Sequence, residues 1–306
     1  MQWFLDLLPL AGLSRIELGF WSFPILLGLI FLRAPIGLAM LLCGFGGWYF
    51  AMNGNPTPLL AKLKSETYST FSSYSLTIIP MFLLMGQFAT LSGMSTALFK
   101  AAESFLGHRR GGVAMAAVGA CAGFGAICGS SLATAATMSR VALPELRRYG
   151  YSGGFSTATL AAGGTLGILI PPSVILVIYA IITEQNIAKL FLAAFIPGIL
   201  AAVGYVITIS IYVRLYPDSA GTRAPQPMSE RWKALAETWP VLLIFGLVVG
   251  GIYAGWFTPT EGSAVGAAGT GLVALVSGNL NWAVFRDSLI GTAKTTAMIF
   301  FIVLGA

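Results

Sequence analysis

Long apolar runs, parted by short stretches where Gly, Pro, Asn or a charged residue collects, divide the chain into segments of membrane length. The pattern predicts a first span over Leu18–Leu32, a tight turn at Arg33-Ala34-Pro35, and a second span over Ile36–Met52 that ends in the interfacial pair Trp48-Tyr49. Ahead of them, Met1–Glu17 reads as an amphipathic lead-in. After the turn Asn53-Gly54-Asn55-Pro56, Thr57–Tyr74 places Leu60, Leu63, Phe71 and Tyr74 near helical spacing, with Lys62, Lys64 and Glu66 among them. That is the pattern of a helix lying at the interface. Leu76–Met94 is apolar but interrupted by Pro80, Gly86 and Gly93, and is expected to form a re-entrant hairpin whose second arm runs into Ser95–Phe105. Gly111–Ser139 carries no charge and divides at Gly129-Ser130-Ser131. Tyr149–Thr183 follows, with no ionisable side chain other than tyrosine. Next come a span over Ile187–Tyr212 carrying Pro197-Gly198, a loop over Tyr216–Trp232, and spans over Thr238–Trp256 and Pro259–Val276. An amphipathic stretch, Asn281–Lys294, leads to a new apolar segment at Thr295–Ala306.

Two of these segments are built to break. A bilayer takes roughly 20 apolar residues to cross, and Tyr149–Thr183 is long enough, yet its middle, Ala161–Ser173, works against a helix. Gly163-Gly164 weakens it, and Pro171-Pro172 removes two backbone donors in succession. Backbone left unpaired in hydrocarbon costs several kcal/mol per group, so broken helices persist only where protein or a water-lined cavity receives them. For a single break, a kinked helix packing through small residues is an equal alternative, and serine back-bonding to the preceding turn another. Two broken, hydroxyl-bearing spans in succession favour a binding site, for which interrupted spans are the best pointer in transporters. Freed carbonyls and hydroxyls are oxygen ligands of the kind a hard cation prefers. The candidate cation- and substrate-binding residues are Pro80, Gly129, Ser130, Ser131, Thr134, Gly163, Gly164, Thr165, Pro171, Pro172 and Ser173.

Composition narrows the class. Hydrophobic residues make up 57% of the 306 and charged residues 9%, against about 25% charged in soluble domains. With a mean hydropathy of +0.83, the chain is an all-α polytopic membrane protein whose first partner is the lipid bilayer. The net charge of +6 does not point to nucleic acid, because the basic residues sit in short connections such as His108-Arg109-Arg110 and Arg147-Arg148, where cytoplasmic anchors belong. Cys43, Cys121 and Cys128 lie in apolar segments without metal spacing and read as packing residues. Pairs such as Gly125/Gly129 and Gly163/Gly167 permit close helix approach in lipid. The N-terminus has neither a basic n-region nor an Ala-x-Ala site, so no cleaved signal peptide is expected. One histidine, and no nucleophile elbow, HExxH pair or P-loop, argue against an enzyme.

The chain also matches itself. A shift of 225 lays Ile36-Gly37-Leu38-Ala39 on Glu261-Gly262-Ser263-Ala264, and a shift of 219 lays Thr77, Phe82 and Gly86 on Thr296, Phe301 and Gly305. The order of elements repeats as well: two spans, an interfacial helix, then a hairpin-like segment. The loop with Arg33 is cytoplasmic by the positive-inside rule, whereas its counterpart Phe257–Glu261 carries no positive charge. The expectation is one membrane domain with an inverted repeat: repeat one at about 18–212, a loop at 216–237, and repeat two at about 238–306.

Three ordered motifs, Gly129-Ser130-Ser131-Leu132-Ala133-Thr134-Ala135, Gly163 through Ser173, and Thr258-Pro259-Thr260-Glu261-Gly262-Ser263-Ala264, resemble the large membrane subunit of TRAP transporters, the DctM-like permeases. The resemblance covers most of the chain from Phe20 onward. It implies a sodium-coupled, binding-protein-dependent importer of organic acids, such as C4-dicarboxylates or sugar acids, in the bacterial inner membrane. It implies two partners, a periplasmic solute-binding protein and a small TRAP membrane subunit. Sodium is the coupling ion, with no cofactor and no other metal. An elevator mechanism is implied, in which Leu76–Phe105 and Gly111–Thr183 move against a scaffold of Leu18–Met52, Ile187–Tyr212 and Thr238–Val276. A non-transporting scaffold subunit is the competing reading. The family's permeases are longer, so a further stretch of roughly 100 to 130 residues completing the second repeat is expected after Ala306.

Overall fold

The computed structural model describes residues 14–52 and 54–305, and every regular element among them is helical. In chain order these are α1 (Arg15–Phe31), α2 (Ile36–Ala51), α3 (Thr57–Ser72), α4 (Ile78–Leu91), α5 (Met94–Leu106), α6 (Gly112–Cys128), α7 (Ser131–Arg148), α8 (Gly153–Leu169), α9 (Val174–Ile182), α10 (Ile187–Leu215), α11 (Met228–Ala236), α12 (Trp239–Tyr253), α13 (Pro259–Val276) and α14 (Trp282–Gly305). A 3₁₀ turn at Tyr74–Thr77 leads into α4, and Gly246–Gly250 form a π-helical turn within α12. Met1–Leu13, most of the expected lead-in, lie outside the described residues, as do Asn53 and Ala306.

The ends of these helices follow from local chemistry. Ser14 and Glu17 close a reciprocal capping box on α1, and Thr258 and Glu261 do the same for α13, where Pro259 takes the first helical position. Such boxes satisfy amides that a helix start otherwise leaves unpaired.

Length and apolarity suffice for a crossing in Tyr74–Leu91, α10 and α14, and in two bent pairs, α8 with α9 and α11 with α12, each bent by 44°. On α10 the large residues Leu192, Ile196, Leu200, Val203 and Ile207 are exposed, as a lipid-facing surface requires. The chain is a polytopic helical membrane protein.

Two compact units divide it. In the first, Met1–Leu76 with Ala293–Ala306, α2 meets the end of α14 through glycine. A methyl added at Gly37 would come within 2.9 Å of the Phe301 carbonyl oxygen, and Phe71 and Phe300 pack ring to ring at 5.8 Å. The second, Thr77–Thr292, holds α4 through α13 around a core that includes Phe82, Phe99, Phe124, Ile127, Met138 and Leu166.

Several expectations change. The loop over Tyr216–Trp232 is shorter, because Met228–Ala236 is helical and takes in Trp232. Asn281–Lys294 and Thr295–Ala306 are not separate: α14 runs unbroken through Lys294 to Gly305, since no Gly-Pro pair or capping residue stops it. The α4 and α5 arms are joined by Ser92 and a left-handed Gly93 (φ 80°), but each packs mainly elsewhere, α4 on α13 and α6, α5 on α6 and α11. The segment does not close on itself as a hairpin. α6 and α7 meet across their own turn, and both pack most on α8.

Candidate functional site

The α6–α7 hairpin is a product of composition. α6 has no charge and almost no bulk on the side facing α8: a methyl added at Gly125 would lie 2.6 Å from the Gly167 Cα, and one at Gly163 would lie 3.0 Å from the Cys121 sulfur. At the base, the Val113 amide donates to the Tyr151 hydroxyl at 3.2 Å, bringing the start of α6 to a residue three past the end of α7. Both ends of the hairpin therefore sit beside Arg109-Arg110 and Arg147-Arg148. Its tip lies 17 residues away, about 25 Å at 1.5 Å per residue.

The tip turns on Gly129, whose φ of 64° ends α6 in the left-handed region. Ser130 is extended and caps α7, its hydroxyl accepting from the Ala133 amide at 3.4 Å. At the same level α8 stops. Leu169 is its last helical residue, Pro171-Pro172 are joined by a cis peptide, and Ser173 caps α9 by accepting from the Leu176 amide at 3.4 Å.

The two interruptions are bonded to each other. The Val174 amide donates to the Gly129 carbonyl at 3.2 Å, and the Pro172 carbonyl oxygen lies 2.8 Å from where a Gly129 methyl would stand. Neighbouring helices close in through their own glycines: Gly86 of α4 against Cys128, and Gly198 of α10 against Leu169 and Ile170. Ile170, Pro171, Pro172 and Ser173 are all buried. The arrangement gathers two helix N-termini, α7 and α9, and the unpaired last carbonyls of α6 and α8 at one buried place. The first pair attracts an anion and the second a cation.

Gly129, Ser130, Pro171, Pro172 and Ser173 meet here. Ser131 opens α7, and Thr134 lies one turn on. Its hydroxyl is fully buried and, apart from the Cys128 thiol beside it, has no hydrogen-bond partner among the described residues. That hydroxyl and the Ser130 carbonyl both face Gly167, at 2.6 and 2.9 Å from a methyl added there. Gly163-Gly164 do not break α8, which runs helical through both to Leu169; they are packing contacts, Gly164 resting on Ala135. Thr165 faces away from the tip, its hydroxyl bonded to the Ala162 carbonyl at 2.7 Å and to the Tyr205 hydroxyl of α10 at 2.9 Å. Pro80 is in the first turns of α4, the helix that reaches the tip through Gly86.

One group escaped the reading of the chain. The uncharged run ends at Ser139, but α7 continues eight residues past Arg140 to Arg148. Arg140 thus sits midway along the hairpin on an exposed face. Ser130 as a cap, with apolar residues at intervals up to Leu146, was the signal for that longer helix.

Comparison with known proteins adds the family context. Residues 23–306 match the family model described as "Tripartite ATP-independent periplasmic transporter, DctM component". The chain is 38% identical over 255 residues to a Pseudomonas aeruginosa protein named C4-dicarboxylate TRAP transporter large permease protein DctM, covering 80% of this chain and 57% of that one. To a Rhodobacter capsulatus protein of the same name it is 30% identical over 300 residues, with coverages of 93% and 67%. To a Vibrio cholerae sialic acid TRAP transporter large permease protein, SiaM, it is 30% identical over 280 residues, covering 91% and 64%. The chain spans between about half and two thirds of the length of these curated relatives.

Proposed function

The chain belongs to the DctM component family of tripartite ATP-independent periplasmic transporters, and from that premise we propose that it acts as the large permease subunit of a sodium-coupled importer of organic acids. A periplasmic solute-binding protein delivers a carboxylate solute, of the C4-dicarboxylate or sugar-acid kind, and a small membrane subunit completes the complex in the bacterial inner membrane. The buried meeting of the two interruptions, tied by the Val174–Gly129 hydrogen bond, is what supports this reading. Its paired helix N-termini suit a carboxylate, and its carbonyls and hydroxyls suit sodium.

In an elevator cycle, Leu76–Phe105 and Gly111–Thr183 carry the site, and the spans over Leu18–Met52, Ile187–Tyr212 and Thr238–Val276 form the scaffold of an inverted repeat. The Thr165–Tyr205 bond then joins a carrying helix to a scaffold helix. Arg140, on the exposed face of α7, offers a positive charge between the tip and the base.

The test is sodium-driven uptake of labelled succinate and N-acetylneuraminate into proteoliposomes holding the full-length permease and its small subunit. Uptake should require both a sodium gradient and the cognate binding protein. Equal uptake without either one would refute the reading.

A sharper test uses Thr134→Val, which keeps the shape and deletes the hydroxyl. A buried, unsatisfied polar group costs about 1–3 kcal/mol, so the sodium-free protein should melt at the same or a higher temperature. Its sodium requirement for half-maximal uptake should rise by about tenfold, the equivalent of roughly 1.4 kcal/mol of lost ion binding. An unchanged sodium requirement removes Thr134 from the ion site.

A further inference from the structure

The base of the same bundle, well away from the hairpin tip, encloses a cavity of about 470 Å³ between α5, the end of α7, the strap at residues 220–227, and α11. Its walls carry four acidic side chains, Glu103, Glu145, Glu230 and Glu237, and four basic ones, Lys100, Arg148, Arg223 and Lys233.

Glu103 is the unusual member. It is 5% exposed. Its Oε2 pairs with the Arg223 guanidinium at 2.8 Å, while Oε1 is buried with no partner. Arg223 is anchored by its backbone and serves one oxygen of this carboxylate. Its amide donates to the Gly107 carbonyl at 3.0 Å, and its guanidinium stands 6.0 Å from the Tyr149 ring centre. Two residues earlier, Gly221 lies so close to the Tyr149 carbonyl that a methyl there would come within 1.9 Å of the oxygen. A half-paired buried carboxylate is costly, and the missing partner must be a hydrogen-bond donor.

The other charges say what else the partner carries. Glu145 is paired with Arg148 at 3.6 Å. Lys100 and Lys233 make no ion pair among the described residues and are exposed at the rim. A simple anion would meet the bare Glu103 oxygen and the carboxylates of Glu230 and Glu237, unpaired among the described residues, and a simple cation would meet Lys100 and Lys233. A zwitterion with a donor at its positive end satisfies both.

The setting supplies a source. α11 bends by 44° into the membrane-length pair it forms with α12. Trp232 and Trp239 are exposed along it, as interfacial tryptophans are. Beyond the rim, Leu242 and Leu243 continue an exposed apolar track up α12. Arg109-Arg110 and Arg147-Arg148 mark this end as the cytoplasmic side.

We propose that the cavity binds the headgroup of a zwitterionic aminophospholipid, with its primary ammonium on the free oxygen of Glu103, its phosphate between Lys100 and Lys233, and its acyl chains along α12. Phosphatidylethanolamine has the required N–H donors. Phosphatidylcholine has the same phosphate but a trimethylated nitrogen that donates nothing. Phosphatidylglycerol has the phosphate and no cation.

The experiment compares these three lipids on the full-length permease in detergent, by native mass spectrometry and by thermal melting. Phosphatidylethanolamine should be retained about tenfold better than either of the others, a preference worth roughly 1.4 kcal/mol, and should raise the melting temperature most. Glu103→Gln should erase the preference over phosphatidylcholine. Should Glu103→Gln fail to fold, the double variant Lys100→Ala with Lys233→Ala leaves the buried pair intact and should still lower phosphatidylethanolamine retention. Equal retention of phosphatidylethanolamine and phosphatidylcholine by the native protein overturns the proposal and leaves water as the filling. An unaltered preference in folded Glu103→Gln, or unaltered phosphatidylethanolamine retention in the double lysine variant, overturns it as well.

Discussion

Gly129→Ala is expected to cut substrate uptake by about a hundredfold, the loss that a displacement near 1 Å at a reacting or binding centre typically causes. Two effects combine. An alanine held in the left-handed region costs about 1–2 kcal/mol, and Gly129 has a φ of 64°. The added methyl would also stand 2.8 Å from the Pro172 carbonyl oxygen. That atom is backbone between two buried residues, so it cannot rotate away as a side chain could. The Gly129 carbonyl, which accepts from the Val174 amide at 3.2 Å, would move with it, and the two helix N-termini would part. Gly150→Ala separates the causes. Gly150 has a φ of 76° and nothing within 4 Å of an added methyl, so it carries the same backbone cost without the collision. It should lower stability and leave uptake by the folded fraction intact. Wild-type uptake by Gly129→Ala, or an equal fall in both variants, would remove the hairpin tip from the transport site.

The second large effect is on stability. Gly125→Ala should lower the melting temperature of the permease, whereas Gly204→Ala should hold or raise it. At Gly125 the methyl meets the Gly167 Cα at 2.6 Å, so α6 and α8 must separate, and overpacking of this kind costs about 1–3 kcal/mol. Gly204, on α10, has nothing within 4 Å. There the substitution only reduces the freedom of the unfolded chain, a gain of about 0.4–1 kcal/mol. Melting followed by fluorescence-detected size exclusion reads both. Shifts of the same sign and size would mean that the α6–α8 contact does not depend on glycine.

Both predictions turn on the difference between glycines, which the chain alone does not rank. Gly125, Gly163 and Gly204 look alike in an apolar run. Gly163-Gly164 even reads as a break, because paired glycines lower helix propensity. The helix survives because its loss of propensity, about 1 kcal/mol per glycine, is smaller than the gain from packing α6 and α7 against that bare face. Thr165 illustrates the same limit. Its hydroxyl was legible as a polar group at membrane depth, but its partner, Tyr205, is forty residues away on another helix. Arg140 was hidden for a related reason: a charge reads as the end of a span, yet α7, packed mainly on α8, continues past it to Arg148.

What the sequence by itself determined is the set of features written into consecutive residues. The apolar runs specified the approximate limits of most helices, with Ile36 and Pro259–Val276 read to the residue, but neither α11 nor the continuity of α14. Pro171-Pro172 dictated an end to α8, since two residues without amides cannot continue a hydrogen-bond ladder. Gly129-Ser130 dictated the hairpin turn, through a left-handed end and a hydroxyl cap. Only the tertiary structure decided that these two interruptions lie against each other, that the Thr134 hydroxyl is buried with only the Cys128 thiol beside it, and that Glu103 meets Arg223 across a strap 120 residues on. Backbone chemistry within a few residues acts wherever the chain goes. A contact between distant helices depends on which faces pack, and in this chain the glycines that let α4, α6, α8 and α10 close in leave that choice to the fold.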